Sequence, residues 1–270
     1  MEWLFYLLTG ICSGLAAGLL GVGGGLIIVP LLISYFPHTS LPHTLHAHIA
    51  IATSLACIVT TSLSAIAAQH KKRAIIWPLV MRSLPGILLG AFLGANIAAL
   101  IAKAPLIIIF TCFLGLIAYM MWNQDRPVFP RFIIPGSNHP YIHFLVMLII
   151  GGISAIIGIG GGTMTVPYLS RLSDVPIALK NAIAVSSSLG FPIALSGSLG
   201  FILQAQSLPE IPGSLGFIYL PAFFTISASA FFAAKAGVFL SHYWSKTMVS
   251  RIFTVLLLVQ ITQLLHALQF

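Results

Sequence analysis

The sequence predicts an all-α polytopic membrane protein built from two inverted repeats, each a glycine-broken helical hairpin followed by three transmembrane helices. Three observations predict it. Of the 270 residues 59% are hydrophobic and only 6% are Asp, Glu, Lys or Arg, where an ordinary soluble domain carries about a quarter charged residues. A mean hydropathy of +1.06 leaves no charged face to meet water. A glycine-rich pattern occurs near the start and again in mid-chain, and each copy interrupts an apolar run too long for one straight span. The composition excludes a soluble enzyme, a nucleic-acid-binding domain and a disordered regulator; the lipid bilayer is the first partner. The formal charge of +8 is therefore read as a topology signal in loops.

The opening apolar region, 3–36, would make a helix about 50 Å long at about 1.5 Å per residue, against a hydrocarbon core about 30 Å thick. Gly21-Val22-Gly23-Gly24-Gly25 lies in its middle, so a hairpin of two short helices meeting at the glycines is expected. Pro30 adds a second interruption just after the break. Further segments follow at 46–69, 74–101 and 105–122. Shifting the chain by 137 residues pairs Gly14 with Gly151, Gly21 with Gly158, Gly23 with Gly160, Gly24 with Gly161, Gly25 with Gly162, Val29 with Val166 and Pro30 with Pro167. With small gaps the match continues, Thr53 falling on Ser187, Pro78 on Pro221 and Lys103 on Lys246. The order is kept throughout, which marks a duplicated unit. The first repeat is 1–122, a linker spans 123–140, and the second repeat is 141–270, with segments at 141–170, 177–203, 214–241 and 247–268.

A hairpin returns the chain to its starting side, so each half makes an odd net number of crossings and the second half enters upside down. The positive-inside rule agrees. His70-Lys71-Lys72-Arg73 marks a cytoplasmic loop, while its counterpart, Gln204 to Gly213, carries Glu210 and no Lys or Arg. Threading from there puts the linker inside with Arg126 and Arg131, places Arg171, Lys180 and Lys246 inside too, and leaves Lys103 as the only loop cation outside. A parallel repeat would put Lys103, Arg171, Lys180 and Lys246 outside. Both termini are expected outside.

Broken helices expose backbone N–H groups inside the membrane, where they must be satisfied. Half-helix N-termini carry partial positive charge, so two breaks facing each other near the midplane would form an anion site. Gly21, Gly23, Gly24, Gly25, Gly158, Gly160, Gly161 and Gly162 are its candidate backbone residues. The competing role for such glycines is close helix packing. Thr53, Ser54, Ser186, Ser187 and Ser188 occupy matching positions of the two halves and could donate to the anion, or bond back to their own helix carbonyls. Asn181 and Thr163 extend the polar set on the second half only, which makes the site asymmetric. Arg82 and Lys235 either snorkel to the cytoplasmic interface or concentrate anions at an inner vestibule. Glu2, Asp125, Asp174 and Glu210 are all terminal or in loops, which argues against a carboxylate proton relay.

His38, His43, His46 and His48 form one local cluster of metal-ligand type, but no closed zinc spacing accompanies it. It reads either as a metal site or as a solvated, pH-responsive loop. Cys12, Cys57 and Cys112 show no CxxC spacing and read as small buried residues. No nucleophile, base and orienter assemble from what remains, so neither an enzyme nor a cofactor is expected.

The two glycine elements, Gly14-x6-Gly21 through Pro30 and Gly158 through Pro167, together with the closing Gly237-Val238-Phe239-Leu240-Ser241-His242, resemble the TauE/SafE family of sulfite exporters, also called the toluene sulfonate uptake permease family. The resemblance covers nearly the whole chain. It implies a secondary transporter, expected here as an exporter of small sulfur-containing anions such as sulfite, sulfoacetate or organosulfonates, in a prokaryotic inner membrane. Family members differ in substrate and direction. Two other readings are a metal or cation transporter using the histidines and a membrane scaffold that transports nothing.

Overall fold

The computed structural model describes residues 2–20, 24–123, 139–170, 177–205, 212–240 and 246–267. The first half contains α1 (Glu2–Leu20), α2 (Gly25–Tyr35), α3 (His46–Lys71), α4 (Trp77–Leu100) and α5 (Lys103–Trp122). The second contains α6 (Pro140–Ile157), α7 (Gly162–Leu169), α8 (Leu179–Gln204), a two-stranded hairpin of β1 (Ser214–Leu215) and β2 (Ile218–Tyr219), α9 (Leu220–Leu240) and α10 (Lys246–Ala267). Among the described residues seven helices are long and apolar enough to cross a membrane. Prolines open α4 and α6, where a missing N–H costs no helix bond.

Two expectations need correction. Pro30 and Pro167 do not interrupt the short helices: α2 and α7 run through them, because each proline forfeits a single N–H bond near the helix start. The 214–241 segment is not helical from its first residue. Gly213 and Gly216 take left-handed backbone at φ 74° and φ 61°, which turns Ser214–Tyr219 into the antiparallel hairpin before α9 begins. Gly21, Gly23 and nearly all of the linker, with Arg126 and Arg131, lie outside the described residues, as do Arg171, Asp174 and Glu210.

α3 and α8 are the most buried spans and form the centre. They cross antiparallel: Leu55 lies against Gly197, Ser62 against Gly190, and Gln69 shares a pocket with Asn181. Around them the halves exchange partners reciprocally, α1 packing on α9 and α6 on α4. Both of these pairs run parallel. Gly10 faces Ile226, Gly14 faces Ala230 and Gly237 faces Leu15, while Gly86, Gly90 and Gly94 face Phe144, Leu148 and Gly152. At Gly90 a β-carbon would collide with the Leu148 carbonyl, so the α4 stripe brings two backbones into contact as small residues do in membranes. Outward faces keep large apolar groups such as Leu93, Ile97, Ile149, Phe232 and Leu258 exposed. Lipid chains, unlike water, solvate them without cost.

Candidate functional site

The second break is built by two left-handed glycines. α6 ends on Gly158 at φ 77°, and α7 starts from Gly161 at φ 72°. Neither position suits a side chain. Gly158 N–H donates to Ala155 O at 3.3 Å and Ile159 N–H to Ser154 O at 2.9 Å, which closes α6. At the start of α7, Met164 N–H and Thr165 N–H both donate to Gly161 O. The N–H groups of Gly160 and Gly162 have no backbone acceptor among the described residues, as expected at a helix N-terminus. Of the first break, Gly24 and Gly25 are described, and Gly24 has ordinary helical backbone at φ −70° and packs on Ser13. The two breaks touch, a β-carbon on Gly25 lying 2.5 Å from Gly158 O and 3.2 Å from Ile159 Cα.

Beside this junction lies a cavity of about 70 Å³ lined by Gly160, Gly162, Ser186, Ser187, Gly190, Thr61 and Ser62, with Ala17, Ile58 and Ala65 as its apolar wall. That is room for several waters, hence for a small oxyanion. Ser187 donates to Ile183 O at 2.8 Å, Thr61 to Cys57 O and Ser62 to Val59 O, so their protons serve their own helices. Ser186 is 1% exposed and its Oγ has no hydrogen-bond partner among the described residues. A buried hydroxyl left in that state costs about 1–3 kcal/mol unless something accepts from it. Among the hydroxyls of the residues lining this cavity, it is the one not already donating to its own helix.

Other sequence candidates lie elsewhere. Thr53 accepts from Tyr219 N–H at 3.0 Å, and Ser54 donates to Gly158 O at 2.9 Å. Both hydroxyls are buried and occupied, and neither lines the cavity. Thr163 sits half-buried in the first turn of α7 outside the lining. Ser188 bonds back to Ala184 O. Thr61, Ser62 and Gly190 were not singled out from sequence, although the run Thr60-Thr61-Ser62 in an apolar segment was a visible signal.

Asn181 lines a second, open pocket of about 550 Å³ at the end of the α3–α8 groove, with Gln69, Lys72, Arg73, Ala74, Lys180 and Ile183. Here α3 closes with Arg73 N–H on His70 O at 2.9 Å and Ala74 N–H on Gln69 O at 3.2 Å. This is a Schellman closure, whose left-handed position usually holds glycine. Arg73 occupies it at φ 51°, a strain of about 1 kcal/mol.

His43 and His46 pack ring to ring, their centroids 4.9 Å apart, but the four histidines share no common centre among the described residues. His46 Nε2 meets Leu41 O at 3.0 Å, and His48 Nε2 meets Ile101 O at 2.9 Å. Among the described residues no three or more His, Cys, Asp or Glu are placed to hold a metal ion. Cys57 is buried, but Cys12 and Cys112 are exposed on outward helix faces, which corrects the expectation for those two. Lys235 extends along its own helix, its Nζ 4.7 Å from the Phe231 ring centroid.

Seven apolar spans among the described residues, around broken helices that meet beside a small internal cavity, define a class: a multi-pass integral membrane transporter. The sulfite exporter TauE/SafE family model matches residues 6–264, and the chain belongs to that family. A "probable membrane transporter protein" of Haemophilus influenzae is 34% identical over 235 residues, covering 87% of each chain. One from Bacillus subtilis is 26% identical over 275 residues, covering 96% of each chain. A third, from Methanocaldococcus jannaschii, is 25% identical over 235 residues, covering 86% of this chain and 84% of its own. No solved structure matches. These proteins are transporters rather than enzymes.

Proposed function

We propose that the chain exports a small sulfur-containing anion, such as sulfite, sulfoacetate or an organosulfonate, across a prokaryotic inner membrane, and that the anion binds in the cavity beside the second glycine break. The observation that carries the reading is Ser186, a residue that lines the same cavity as Gly160 and Gly162 and whose buried hydroxyl has no hydrogen-bond partner among the described residues. A hydroxyl free to donate and helix N-terminal amides suit an oxyanion. The family's name adds sulfite as the first anion to try.

Two halves, 1–122 and 141–270, joined by a cytoplasmic linker at 123–140, complete the proposal. Opposite insertion is supported by helix directions: repeat-related α3 and α8 run antiparallel, while α1 with α9 and α4 with α6 run parallel. Equal insertion of the halves would reverse all three relations.

The test is a thermal-shift screen of the purified protein against sulfite, sulfate, thiosulfate, sulfoacetate, taurine and divalent metals, since a ligand of the native state raises its melting point. Stabilisation by one of the sulfur oxyanions that is absent in Ser186→Ala supports the site. Stabilisation by a divalent metal alone, lost on replacing His38, His43, His46 and His48, would overturn it.

A further inference from the structure

The geometry points to a second anion site in the same groove: the pocket lined by Lys72, Arg73 and Lys180 captures the oxyanion before it reaches the inner cavity. This capture step rests on the transport reading above. Three cations, drawn from both halves of the chain, surround one concavity with the side-chain amides of Gln69 and Asn181, and among the described residues no carboxylate lines it. A concave, single-sign surface focuses its field and raises the local concentration of counter-ions.

Cytoplasmic loops carry lysine and arginine for orientation alone, but orientation does not require two features found here. Lys180 comes from the N-terminal end of α8 and meets the C-terminal end of α3, more than a hundred residues away. Arg73 holds a left-handed position that glycine would fill without strain.

The pocket also lies next to the site. Ile183 lines the mouth and Ser186 the inner cavity, while Gln69 lines the mouth and Ala65 the cavity. Each pair is separated by about one helical turn, roughly 5 Å. A phospholipid headgroup offers the same chemistry as a free oxyanion, and the structure favours the free ion: the pocket sits at the ends of the two most buried helices rather than on a lipid-facing span.

The decisive experiment measures equilibrium binding of radiolabelled sulfite to the full chain in phosphatidylcholine nanodiscs, which leave both faces open. Arg73→Gly is the key variant because it relieves the backbone while deleting the charge; its melting temperature should not fall. Combined with Lys180→Gln, it should weaken sulfite binding about tenfold at low ionic strength, and the difference should vanish at high salt. Wild-type affinity in that double variant overturns the capture site. So does an effect seen only after phosphatidylglycerol is added, which would identify a lipid headgroup as the occupant. Ser186→Ala separates the two readings. If it binds normally while the double variant is weak, the inner site falls and the mouth stands. If wild type binds no sulfur oxyanion, both fall.

Discussion

Among single residues, the hydroxyls show how far duplication misleads. Thr53 corresponds to Ser187 and Ser54 to Ser188, and on sequence these four stand level with Ser186 as candidates. In the structure all four are committed, to Tyr219 N–H, Ile183 O, Gly158 O and Ala184 O. The uncommitted one, Ser186, corresponds to Ala52 and has no hydroxyl twin. Ser186→Ala should therefore weaken anion affinity by about 1 kcal/mol, roughly fivefold. Ser187→Ala should change it by less than twofold, a contrast readable by calorimetric titration. Ser54→Ala should act differently again. It strips a buried carbonyl at the end of α6 of its donor, so the melting temperature should fall before affinity does, by about 1–3 kcal/mol of stability.

Helices and strands were legible in proportion to how strongly the bilayer dictates them. Apolar length fixed the long spans within a few residues, because a shorter or longer stretch cannot match the hydrocarbon core. The β-hairpin was hidden because Leu215–Tyr219 is mostly apolar and continues directly into α9; only Gly213 and Gly216, three apart, signalled a turn. Which helix faces meet was not legible, since apolar periodicity is weak when both lipid and protein contact apolar side chains. Hence Thr61, Ser62 and Gly190 were missed while Gly160 and Gly162, marked by repetition, were found. The glycine stripe of α4 gives a sharp comparison. Gly90→Ala would press on the Leu148 carbonyl and should cost about 1–3 kcal/mol. Gly115→Ala on α5 enters open space and should leave the melting temperature no lower than wild type. Gly161→Ala combines a left-handed backbone with a collision on Ile193, so its loss of stability should accompany any loss of binding.

For the molecule as a whole, opposite insertion makes one simple prediction. In a cysteine-free background, a cysteine replacing Lys72 should be labelled by an impermeant reagent from the cytoplasm, and one replacing Leu215 only from outside. Cytoplasmic labelling at 215 would refute the inverted arrangement. The two ends of the α3–α8 groove are also unlike. One opens between Lys72, Arg73 and Lys180; at the other, β2 is wedged between the helices, with Phe217 buried against His48 and Phe201 and Tyr219 tied to Thr53. A solute that enters at the open end and leaves at the far one must prise this wedge loose on every cycle. A chain stapled shut there, by a disulfide from Thr53→Cys with Tyr219→Cys, should hold its cargo and never deliver it, until a reductant cuts the staple.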